Sequence, residues 1–239
     1  MNVSEKLRNF LPGVVLLGMF SLVSISAAFA EDSASTADSL WQKANQDWRL
    51  GQTFQAHRMR IVADELDKRG QIDSTTITDL AMRYVGEQTF TEVLNSSKDG
   101  RDTTAKTRAD YAKRDGSQNE GPMDPMDFIP FSATVSEFLR RGPAAWVGGV
   151  LSVPYEITKP KSGSEGILFF SAQGSPEYLE YSMKPLPPLV SHFRGEIHFL
   201  RLPEGALVIS GMRFDAEGGI LLIRKRYAIR MEFSDYRRP

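Results

Sequence analysis

The chain of 239 residues contains no cysteine. That removes disulfides, thiolate metal sites, a cysteine nucleophile and any lipid attached to a cysteine behind an export signal. Histidine occurs only as His57, His192 and His198. His192 and His198 are six residues apart, so on one unbroken strand they share a face about 20 Å apart, too far for a common metal ion. An excess of either charge is also missing: 29 Lys and Arg stand against 30 Asp and Glu. That balance gives nucleic acid nothing to hold. There is no GxSxG, HExxH, P-loop or GxGxxG motif. Ser171, Ser175, Ser191 and Ser210 lack the context of a nucleophile elbow. Asp64, Glu65 and Asp67 sit beside Lys68-Arg69-Gly70 and read as a solvated turn. No catalytic residue, metal site or cofactor is expected.

What is present begins at the N-terminus. Lys6 and Arg8 precede an apolar run from Phe10 to Ile25, which closes on Ser26-Ala27-Ala28-Phe29-Ala30. This is a charged, then apolar, then small-residue order. It predicts a cleavable export signal over 1–30, cut after Ala30, and a periplasmic product. Residues 31–239 are long enough for one domain with its own core.

Residues 31–50 predict a helix, with Leu40, Ala44, Trp48 and Leu50 roughly on one side and Asp38 or Ser39 as cap. Long strands are expected over 52–66, 71–85 and 89–96, with a turn at Asp67-Lys68-Arg69-Gly70. Residues 102–114 predict a polar helix, and 115–130 a mobile loop, together a flexible polar insertion around 100–130. Further strands are expected over 145–158, 166–172, 177–183, 192–200, 206–214, 219–224 and 226–234. Gly148-Gly149 and Gly218-Gly219 read as hairpin or bulge glycines. The prolines of 184–190 exclude a strand interior there. The expected fold is mainly β with α: one strongly curved antiparallel sheet, an incomplete β-barrel, with helices over an apolar inner face.

Rings and thioethers on that face either fill a core or line a greasy cavity. The cavity candidates are Phe54, Met82, Trp146, Phe169 and Phe199. Arg58, Arg60, Arg224, Lys225 and Arg226 are candidates for contact with an anionic headgroup or a partner.

The order of elements, and the segments TFQAHRMRIVADELDKRGQIDS (53–74), SMKPLPPLVSHFRGEIHF (182–199) and GGILLIRKRYAIRMEFSDYR (218–237), resemble the LolA/LolB-like family of outer-membrane lipoprotein-sorting proteins. The resemblance covers about 40–239. It implies an incomplete barrel with a helical lid over a hydrophobic cavity, and carriage of acylated proteins between membranes. It also suggests Arg58 and Arg60 as counterparts of a basic cavity residue. The chain departs from that pattern at 102–130, which is a poor apolar lid. The expectation is therefore a non-enzymatic periplasmic carrier of a lipid or acylated protein. Its partners would be an inner-membrane export complex or an outer-membrane acceptor. The alternative is a cell-envelope structural or adaptor protein with a filled core that binds a protein partner.

Overall fold

The computed structural model describes residues 35–86, 88–114, 125–160, 163–220 and 223–239. The predicted signal, most of the predicted 115–130 loop and Ala30 lie outside these residues. Twelve strands form one antiparallel sheet: β1 (Gln55–Leu66), β2 (Ile72–Val85), β3 (Gln88–Lys98), β4 (Arg101–Asp102), β5 (Leu139–Arg141), β6 (Ala145–Val147), β7 (Val150–Thr158), β8 (Gly163–Phe170), β9 (Pro176–Lys184), β10 (Val190–Arg201), β11 (Leu207–Ile220) and β12 (Ile223–Arg237). Their spatial order is β4-β3-β2-β1-β12-β11-β10-β9-β8-β7-β5, with β6 paired to β7. Helix α1 spans 35–51 and α2 spans Thr104–Arg114.

This order corrects the incomplete barrel. A barrel needs its first and last strands to pair. Here the ends are β4, of two residues, and β5, of three, and they do not meet. The sheet is open and is not strongly curled. Nor do the helices form one lid over a concavity. Each covers a different part of the same face.

One row of paired residues fixes that face. Thr78, Ile61, Met231, Met212, Ile197, Leu179, Leu168 and Val153 lie directly opposite one another from β2 to β7. Directly paired residues share a face, so the row marks the inner side of the sheet. Over β7–β11 it is sealed by α1 and by residues 125–139, which carry two short 3₁₀ turns. Ala37, Trp41, Ala44 and Trp48 recur at helical spacing on α1, and all are buried. Trp48 meets Phe199 edge-on at 6.2 Å, Trp41 meets Phe131 at 5.3 Å, and Phe128 stacks on Tyr181 at 4.7 Å. Gly195 makes room for the Tyr181 ring, because a Cβ there would lie 2.2 Å from it. A Cβ on Gly51 would lie 1.9 Å from the Leu207 carbonyl oxygen, so the end of α1 sits directly on the start of β11.

Several expectations shift in register. The helix is already under way at Ser35, so Asp38 is no cap; it pairs with Arg141 at 2.9 Å. Phe128, Ile129 and Phe131 are core residues, so the end of the expected polar loop is buried. The strand expected over 145–158 is the β6–β7 hairpin, turned at Gly148 and Gly149, both with positive φ. The two strands expected over 206–224 form one strand as far as Ile220, because Gly218 and Gly219 stay in the ladder opposite Lys225 and Arg224.

Candidate functional site

The inner face changes character between its two covers. At the far end of this same face, α2 lies over β3. Its Thr107 hydroxyl donates to Ser96 Oγ at 3.0 Å, and Arg108 Nε donates to the Val93 carbonyl at 2.8 Å. Ser96 is fully buried among hydroxyls, with Thr78 Oγ1 at 3.2 Å and Thr103 Oγ1 at 3.1 Å. Between α2 and the aromatic cover run β1 and β12. Their inward residues are Met59, Ile61 and Ala63 on one strand and Ile229, Met231 and Phe233 on the other, paired in register. All six are half-buried. Met231 and Phe233 pack against the edge of the core.

This strip has a definite size. From Met59 to Ala63 the apolar stretch runs about 13 Å along the strands. Two strands with part of the spacing on each side give a width of about 10–14 Å, close to the 10–12 Å diameter of one α-helix. Met59, Met82, Met212 and Met231, four of the nine methionines in the chain, stand on or beside it. Flexible thioethers are suited to a surface that must fit a guest of imperfect shape.

The opposite face is charged. Arg60 pairs with Asp79 at 3.5 Å, Arg226 with Glu217 at 3.4 Å, and Arg194 with Glu180 at 2.7 Å. Asp64 is the exception to an expected solvated cluster. It is 4% exposed, accepts from the Thr75 hydroxyl at 2.6 Å and pairs with Arg230 at 3.2 Å. Asp67 does build the expected turn, accepting from the Arg69 and Gln71 backbone N–H groups.

The five cavity candidates do not converge. Phe199 is in the core beneath Trp48. Met82 is buried on β2, with the Tyr84 hydroxyl against its sulfur. Phe54 lies before β1, with the Arg238 guanidinium 4.9 Å from its ring centroid. Trp146 is 53% exposed on β6. Phe169 projects from the charged face and stacks on Tyr178, which stacks on His198. The basic candidates are also divided. Arg58, Arg60 and Arg226 project from the charged face. Lys225 bonds Glu65 at 2.6 Å on the inner side, and Arg224 stands opposite Gly219.

The strip was hidden in the sequence because alternation reports which residues share a face, not what covers them. The signal for it was present in Met59-x-Ile61-x-Ala63 and in Ile229-x-Met231-x-Phe233. Among the described residues no group of three or more His, Asp or Glu is placed to hold a metal ion. No helix among them is long and apolar enough to cross a membrane.

No family model matches the sequence, and no curated protein does. Among solved structures the chain is similar to a DUF1329 family protein from Desulfovibrio piger, at 10% identity over 83% of this chain and 92% of that one, with a TM-score of 0.33. It is also similar to MucB in its complex with MucA, at 10% identity over 83% and 94%, with a TM-score of 0.20. The di-domain ARO/CYC StfQ from the steffimycin biosynthetic pathway is similar at 13% identity over 75% of this chain and 62% of that one, also with a TM-score of 0.20. At these scores the likenesses assign neither fold family nor activity, and the resemblance to lipoprotein-sorting proteins gains no support from them.

Proposed function

We propose that the protein is a non-enzymatic adaptor of the cell envelope, exported by its N-terminal signal to the periplasm, that seats an amphipathic helix of a protein partner on the β1–β12 strip. One observation carries this reading: the apolar inner face continues past the aromatic cover and is only partly buried over the width of one helix. A guest helix with apolar residues at helical spacing would complete the layer that α1 and α2 leave open. The filled contact of Trp48 with Phe199, between α1 and the sheet, supports this reading over carriage of an acyl chain between α1 and the sheet.

The test is a photo-crosslinking amino acid placed at Ile61 on the strip and, as control, at Arg213 on the charged face, in the producing cell. A protein adduct specific to Ile61, abolished by Met231→Glu in a variant that keeps its circular dichroism, is expected. A lipid adduct at Ile61, or equal adducts at both positions, would overturn the reading.

A further inference from the structure

A second concave feature lies away from the strip and does not depend on the adaptor reading. Between α1 and residues 126–139 opens a cleft of about 520 Å³. That lies within the usual range for small-ligand sites. Its apolar wall includes Trp41, Trp48, Phe131 and Leu139. Its polar wall includes Asn45, Gln52, Ser132, Thr134 and Ser136. The Ser132 and Thr134 hydroxyls bond each other at 2.9 Å, and the Ser136 hydroxyl donates to the Ala133 carbonyl.

Among the described residues Arg49 is the one charged residue in this lining. Three other basic groups on or against α1 are engaged. Lys43 pairs with Asp47 at 3.4 Å, Arg201 also holds Asp47, and Arg141 pairs with Asp38 and lies over the Trp41 ring at 4.9 Å. Arg49 has no hydrogen bond or ion pair among the described residues. Its position in the last turn of α1 gives it a modest favourable field from the helix carbonyls. That field uses none of its five N–H donors. A planar guanidinium at the mouth of an otherwise neutral, ring-walled cleft is matched by a planar carboxylate, which it can hold through two parallel hydrogen bonds.

We propose that this cleft binds a small organic carboxylate, with its alkyl or aryl body against the two indoles and its carboxylate on Arg49. The position of the tryptophans supplies the assay. Trp146→Phe removes the exposed indole on β6 and leaves fluorescence from Trp41 and Trp48 alone. This protein is titrated with 11-bromoundecanoate, 4-bromophenylacetate and the neutral 11-bromoundecanol, whose bromine quenches indoles at contact. Saturable quenching by a carboxylate is expected, and the two bodies tell an alkyl preference from an aryl one. Arg49→Gln weakens the carboxylate at least tenfold and leaves the alcohol unchanged. Lys43→Gln, which removes the same charge from α1 outside the cleft, has no effect. The proposal fails if neither carboxylate quenches saturably, or if Arg49→Gln and Lys43→Gln behave alike in proteins of unchanged melting temperature.

Discussion

The two halves of the sheet share one apolar row but are finished differently. Over β7–β11 the row meets indoles and phenyl rings from α1 and 125–139, and its residues are almost fully buried. Over β2 and β3 it meets α2, which offers threonine hydroxyls and an arginine to Ser96, Val93 and Leu94. Between them it meets neither. A sheet face is thus not a uniform surface: it becomes core, polar seam or docking strip according to what the intervening chain lays upon it.

The largest expected effect tests the sealed half. Trp48 is 4% exposed and wedged against Phe199. Trp48→Ala should cost about 3–5 kcal/mol in urea unfolding, as loss of a buried aromatic does. The matched change on the strip, Ile61→Ala, should cost about 1 kcal/mol, because its methyl groups are already partly in water. Equal costs would show the strip to be ordinary core and would remove the contrast.

The tyrosines extend the comparison to pH. Burial pushes the Tyr155 and Tyr181 phenols, both in the sealed half, far above the ordinary value of 10. Tyr155 donates its hydroxyl to the Phe128 carbonyl at 3.2 Å, which keeps the protonated form in place. The folded pKa is raised, so the contribution is complete below pH 10. It is lost above pH 10, where only the unfolded chain releases the protons. Each such tyrosine should remove roughly 1.4 kcal/mol per pH unit there. Absorbance of phenolate should rise together with unfolding between pH 10 and 12. Tyr155→Phe should flatten that dependence; a stepwise titration in a chain that stays folded would contradict it.

The seam under α2 comes next. Ser96→Ala leaves the Thr78, Thr103 and Thr107 hydroxyls without their shared partner in a buried place. A loss of about 1–3 kcal/mol is expected. Faster amide exchange should follow in α2 and β3, with α1 unaffected. Uniform exchange would mean that the two covers are one cooperative unit.

How much of this was legible follows from the same physics. The alternation in Tyr227 to Phe233 and the turn chemistry around Asp67 and Gly148-Gly149 are local, so strand identities and most hairpins were readable. Closure was not, because it depends on whether β4 and β5 meet, and nothing in two or three residues encodes that. Trp41 was missed from the helix stripe. The burial of Phe128 to Phe131 was missed for a related reason: a proline- and aspartate-rich stretch reads as loop, and only the sheet supplies the reason to bury its rings. Cavity candidates chosen as rings and thioethers scattered over both faces, since residue type carries no information about convergence.

The smallest effect lies at the rim of the strip, where Lys225 on β12 bonds Glu65 on β1. That hydrogen bond, more than the charge alone, holds the Glu65 carboxyl below its ordinary 4.5 and raises Lys225. A depressed folded pKa gives stability that is present above 4.5 and fades as pH falls through the folded value. Both groups face solvent, so salt and water screen most of the gain. Lys225→Met should therefore lower the melting temperature only slightly at pH 7, with the difference from the parent vanishing as the solution is acidified below 4.5. A difference that persists in acid would mean that the lysine stem, lying against the strip, matters more than its charge. The open half would then be held at its rim by packing after all, and would resemble the sealed half more closely than its exposure suggests.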